Sequence, residues 1–83
     1  MYKIRFQRKA AKQIDKLPLP DFLRVRQAIM SLSQDPRHPG VIKLKNQNAY
    51  RLRVGVYRVL FTIDDHLNEV SVYNIGHRRD VYR

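Results

Sequence analysis

The sequence predicts an α+β domain, and three observations predict it. Apolar and polar residues alternate over residues 2–6 and again beyond residue 48; apolar residues recur at helical spacing between residues 8 and 32; a two-residue Gly-Val connection joins two of the alternating runs. Residues 2–6 set Tyr2, Ile4 and Phe6 against Lys3 and Arg5, the pattern of a half-buried strand. Ala10, Ala11 and Ile14 then take helical spacing over residues 8–16, with Leu17 one turn on, before Pro18 and Pro20 punctuate the chain. A second helix is expected to start near Pro20-Asp21. Proline is tolerated in a first turn, and an acid there is favoured by the helix dipole. Phe22, Val25, Ala28, Ile29 and Leu32 form its apolar stripe, and Asp35-Pro36 ends it, because a residue before proline is pushed out of the α region. His38-Pro39-Gly40 reads as loop. Three strands follow, at about 48–54, 57–63 and 69–75.

Composition bounds the partners. The chain has 83 residues, 17 Lys and Arg against 7 Asp and Glu, a net charge of +10, and neither cysteine nor tryptophan. The length allows one domain, residues 1–83, and the absence of cysteine removes disulfides, thiolate catalysis and Cys-ligated zinc. A 43% apolar share is too high for a disordered basic tail. No apolar run reaches membrane-span length, and MYKIRFQRKA lacks a signal peptide's apolar stretch, so a cytoplasmic domain with a polyanionic partner and no membrane association is expected. The charge is segregated. Residues 1–12 carry Lys3, Arg5, Arg8, Lys9 and Lys12 without an acid, and residues 43–63 carry Lys43, Lys45, Arg51, Arg53 and Arg58, again without one. Such segregation predicts at least one basic face.

The hairpin around Gly55-Val56 locates that face. A two-residue Gly-X loop of type II′ pairs Val54 with Tyr57, Arg53 with Arg58, Leu52 with Val59, Arg51 with Leu60 and Tyr50 with Phe61. Paired residues share a face and successive residues alternate, so Tyr50, Leu52, Val54, Tyr57, Val59 and Phe61 form an apolar surface for the helices. The other surface carries Arg51, Arg53 and Arg58, with Leu60 and Thr62. Arginines directly opposite one another are mildly destabilising and nothing in folding demands them, which points to a site. Long cationic side chains are nonetheless common on the wet face of an antiparallel sheet. Beyond Ile75, the Gly76-His77-Arg78-Arg79 run and Tyr82 could be delivered onto that face by a turn at the glycine; a frayed basic terminus explains them equally well. His38 and His66 read as loop residues, and Asp64-Asp65-His66 reads as a turn rather than a metal site.

Two segments carry a family resemblance: Tyr50-Arg51-Leu52-Arg53-Val54-Gly55 with Tyr57-Arg58-Val59, and Ile75-Gly76-His77-Arg78-Arg79-Asp80-Val81-Tyr82. In order, and spaced from a Leu17-Pro18 and Asp35-Pro36-Arg37 helical half, they resemble the RelE-type toxins of the RelE/ParE toxin–antitoxin superfamily, over effectively the entire chain. The resemblance implies a RelE-like small domain, an N-terminal strand and two helices packed on an antiparallel sheet of about four strands. It also implies a metal-independent ribonuclease without a cofactor that cuts mRNA on the ribosome and inhibits translation. Its protein partner would be a cognate antitoxin, expected to be acidic with a helical segment.

By motif position, Arg58 and Arg78 match the family's phosphate-stabilising arginines, and Tyr82 matches its C-terminal tyrosine, implicated in activating or orienting the 2′-hydroxyl or in stacking on a base. Arg51 and Arg53 stand where well-studied members carry lysines. A lysine surrounded by cations can lose its proton and act as a base, whereas an arginine effectively cannot. Proton transfer therefore falls to His77 or Tyr82, with Arg51, Arg53, Lys43, Lys45 and Arg79 as RNA- and phosphate-binding candidates. Two other functions share the basic face: inhibition of DNA gyrase, the activity of the related ParE branch, and a non-catalytic nucleic-acid-binding module.

Overall fold

The computed structural model describes residues 1–77. Strand β1 (Lys3–Phe6) leads into helix α1 (Arg8–Asp15) and helix α2 (Leu19–Ser31), then strands β2 (Val41–Lys43), β3 (Tyr50–Val54), β4 (Tyr57–Asp64) and β5 (Glu69–His77). The strands form one sheet in the order β1-β5-β4-β3-β2. One face of it carries both helices.

Local chemistry sets the helix boundaries. Helix α2 begins at Leu19, a residue before the expected start, because the Pro18 carbonyl already accepts the Phe22 N–H at 2.8 Å. Pro20 falls in the first turn, where its missing N–H has no helical partner to lose, and Asp21 stands beside it. Val25, Ile29 and Leu32 of the α2 stripe meet Val59, Phe61, Val70 and Val72 of the sheet, all with no exposed surface, while α1 adds Ala10 and Ile14. Burying each large apolar side chain is worth roughly 1.5–3 kcal/mol, so this layer contact holds the sheet against the helices.

The β3–β4 hairpin takes the expected register, with Arg53 opposite Arg58 and Val54 opposite Tyr57. Gly55 has φ 59° and Val56 is not among the positive-φ residues, as a type II′ connection requires. Two features of the sheet differ from expectation. Strand β1 runs parallel to β5, pairing Lys3 with Glu69 through Phe6 with Val72, so the sheet is mixed rather than antiparallel. Both helices lie between β1 and the rest of the sheet, so no tight turn fixes its direction, and the Tyr2-Ile4-Phe6 alternation fits either orientation. There are also five strands rather than about four. Short β2 pairs antiparallel with β3, Ile42 opposite Arg51 and Lys43 opposite Tyr50, but three residues are too few to display a period.

Strand β5 changes phase once. Its register against β4 shifts between Leu60, paired with Asn74, and Phe61, paired with Val72, so Tyr73 is the extra residue. The bulge lets Val70 and Val72 on one side of it and Ile75 on the other all face the core. Beyond the reach of β1, the edge of β5 is met by α1. The Ile75 N–H donates to Gln13 Oε1 at 2.6 Å, and Gln13 Nε2 donates to Asn74 Oδ1 at 3.0 Å. Among the described residues, no helix is long and apolar enough to cross a membrane.

Candidate functional site

The helix-free face of the sheet is built from cross-strand rows. Ile42, Arg51, Leu60 and Asn74 make one row, and Arg53, Arg58 and Gly76 make the next. The three expected arginines therefore share a face, two of them directly opposed. Arg53 is exposed, and Arg51 and Arg58 are half-buried.

Arg58 differs from the other two in its surroundings. It lines a cleft of about 310 Å³ between α1 and the end of β5, together with Lys9, Gln13, Leu60, Asn74 and Gly76. Its Nε is buried and makes no hydrogen bond among the described residues. The ion pairs among those residues are Arg5–Glu69, Arg24–Asp21 and Arg37–Asp65, and none involves Arg51, Arg53, Arg58 or Lys9. A guanidinium with a buried, unsatisfied donor beside a cleft is suited to a charge-assisted contact with an anion, since its forked donors match phosphate oxygens.

Lys9 and Gln13, four residues apart on one face of α1, were not among the sequence candidates. Lys9 had a signal in the acid-free stretch of residues 1–12. Gln13 had none, because its task depends on the β5 bulge: its side chain holds the strand edge and orients the Asn74 amide.

The other candidates distribute differently. Lys43 pairs with Tyr50 and so projects from the opposite face to Arg51, and Lys45 is exposed in the connection between β2 and β3. His77 pairs with Tyr57, one position beyond the Arg58–Gly76 pair, which turns its ring to the helix side. There it stands edge-on to the Tyr57 ring, centroids 5.4 Å apart with planes at 83°. Tyr57 in turn donates its hydroxyl proton to Asp21 Oδ2 at 2.7 Å, and that bond raises the Tyr57 pKa. Arg78, Arg79 and Tyr82 lie outside the described residues. Gly76 lies within β5 at no left-handed angle, so the turn that the sequence allowed as one of two readings is not made at that residue.

Asp64 and Asp65 act locally. Asp64 Oδ1 accepts the His66 and Leu67 N–H groups at 3.0 Å each, the bonding of a turn aspartate. Asp65 receives both Arg37 terminal nitrogens, at 3.2 and 2.9 Å, and the Tyr2 hydroxyl at 2.7 Å. Held by Arg37 first and Tyr2 second, its carboxyl titrates below the usual carboxylate value. His38 Nδ1 accepts the Gly40 N–H at 3.0 Å, closing its own loop.

Known proteins share this framework. The family described as the ParE toxin of type II toxin–antitoxin systems matches residues 4–82. Toxin RelG of Mycobacterium tuberculosis is 34% identical over 85 residues, covering 99% of this chain and 97% of that protein. Among solved structures, the RelBE2 toxin–antitoxin complex of the same organism aligns at a TM-score of 0.84 and 29% identity, over 93% of this chain and 98% of that one. The intact Escherichia coli RelBE complex aligns at 0.82 and 21% identity, over 93% and 96% of the two chains, a likeness of fold.

Proposed function

Because the chain belongs to the ParE toxin family of the RelE/ParE superfamily and is a toxin of a type II toxin–antitoxin system, we propose that it is an mRNA endoribonuclease that acts on the ribosome. The observation that carries this reading is Arg58: a half-buried arginine in a cleft, opposed by Arg53, with an unsatisfied buried Nε and no carboxylate within ion-pair distance among the described residues.

The chemistry suits such a site because RNA brings its own nucleophile. The 2′-oxygen attacks the adjacent phosphorus, the bond to the 5′-oxygen breaks, and a 2′,3′-cyclic phosphate and a 5′-hydroxyl result. One group takes the 2′ proton, another protonates the departing 5′-oxygen, and fixed cations stabilise charge on the phosphorane. Arg58 and Arg78 supply those cations, so the reaction requires no metal. Arg51, Arg53 and Lys9 extend the positive surface along the strand being cut. Tyr82 is the proton carrier of this scheme; His77 is directed away from Arg58 and braces Tyr57 instead.

A cognate antitoxin is the second partner. Solved relatives are themselves toxin–antitoxin complexes, and a net charge of +10 suits an acidic segment. Gyrase inhibition remains the second reading, favoured by the ParE description of the matching family.

A translating extract supplied with the protein separates the two. Mapping mRNA 5′ ends is expected to show codon-positioned cuts that vanish in Tyr82→Phe. Intact messages together with blocked gyrase supercoiling would replace the nuclease with the gyrase inhibitor.

A further inference from the structure

Gly76 occupies a position where neither its backbone angle nor the packing of the described residues asks for glycine. It lies inside strand β5, paired with Arg58, and its φ is outside the left-handed range that favours glycine. A Cβ built on it meets no atom of the described residues within 4 Å. The other two glycines of the chain contrast with it. Gly55 has φ 59°, and a Cβ on Gly40 would come within 2.9 Å of the His38 ring. Glycine in a strand interior weakens the strand and often marks a place where a ligand approaches the backbone closely.

The surroundings of Gly76 say which ligand. It shares its face with Arg58 and lines the same cleft, flanked by Asn74 and by Lys9 on α1. Two cations stand around a floor that has no side chain, and the buried Nε of Arg58 has no partner among the described residues. We infer that Gly76 keeps the floor of this cleft bare so that the ribose–phosphate backbone of the RNA can lie against the strand and bring its phosphate onto Arg58. The inference rests on the nuclease reading and adds to it a residue that excludes nothing in the protein and makes room for the substrate. A methyl group there meets no atom of the described residues within 4 Å and takes the space of the phosphate.

The test compares wild type, Gly76→Ala and Gly76→Val on ribosomes carrying a defined message, measuring single-turnover cleavage, with Tm recorded for each variant. Gly76→Ala is expected to keep or raise Tm, because alanine restricts the unfolded chain. Its cleavage rate is expected to fall about 10- to 100-fold, the scale of an ångström-sized misplacement of a reacting group, with Gly76→Val slower still. Wild-type cleavage by a folded Gly76→Ala variant would overturn the bare floor and leave the nuclease standing. A lowered Tm would overturn it too, by showing that the protein's own chain covers the floor. A wild type that leaves the message intact removes both.

Discussion

Two arginines on this small domain are treated in opposite ways. Arg37 is partnered: its two terminal nitrogens grip Asp65 and its guanidinium lies 5.6 Å over the Tyr50 ring. It ties the loop after α2 to the β4–β5 turn, and through Asp65 to Tyr2 at the start of the chain. Arg58 has a buried donor without a partner among the described residues, faces another arginine, and stands at a cleft. The first arrangement is what a charge does when it holds a fold together. The second, among the described residues, leaves a buried donor unpaired and sets two like charges opposite each other, which favours no fold. The contrast separates structural from functional charge more sharply than the total of +10 does.

Removing Arg58 tests that separation with the largest expected effect. Arg58→Ala is expected to lower ribosomal mRNA cleavage about 10²- to 10³-fold, the usual consequence of losing one preorganised donor to a developing oxyanion. Its Tm is expected to stay level or rise, since a buried donor unpaired among the described residues and a like-charge pair disappear together. Arg58→Lys keeps the charge but loses the fork, and is expected to recover only part of the rate. If Tm and activity fell together, Arg58 would belong with Arg37.

The reverse outcome is expected for the clamp. Arg37→Ala and Asp65→Asn are expected to lower Tm while the folded protein still cleaves, as thermal melts paired with cleavage assays would report. The pH dependence carries the sign. The Asp65 carboxyl titrates below its ordinary value of 3.8, so the unfolded chain binds its proton first as pH falls. Its contribution is complete above that value and is lost as pH drops through the lowered folded one; Asp65→Asn should make the acid limb of the stability curve shallower. The Tyr2 hydroxyl is raised above 10.0, chiefly by the same carboxylate, so its share is complete below pH 10 and lost as pH climbs past it.

How much of this was legible depended on whether the information was local. The β3–β4 register followed from one glycine and the alternation around it, and with it the shared face of Arg51, Arg53 and Arg58. The direction of β1 was not legible, because its partner is more than sixty residues away and no turn connects them. Lys43 and Lys45 read as part of the basic face because charge runs carry no information about which side of a sheet they join; pairing with Tyr50 decided it for Lys43. The β5 bulge left a trace, since Val70 and Val72 are two apart and Ile75 comes three later, a break in period that moves every later side chain to the other face. The sequence brought His77 to the arginines only through a turn at Gly76; β5 instead continues through His77 and, past the bulge, presents it on the face of Tyr57.

His77 therefore offers the smallest expected effect and the finest discrimination. Phenylalanine in its place keeps a ring edge against Tyr57, 5.4 Å away, and removes the ring nitrogens. Loss of a general acid or base costs about 10²- to 10⁴-fold and takes with it the pH dependence that the group imposed. His77→Phe is expected to stay well short of that loss and to leave the shape of the pH–rate profile unchanged between pH 5 and 8, because the imidazole shares the face of Tyr57 while Arg58 projects from the other. Tyr57→Phe, which removes the bond to Asp21, provides the companion measurement: a lowered Tm with unchanged cleavage would mark the whole Asp21–Tyr57–His77 corner as support. A His77→Phe protein that folds but has lost cleavage, with a flattened profile near neutrality, would return the imidazole to the chemistry and require the end of β5 to turn over when RNA binds.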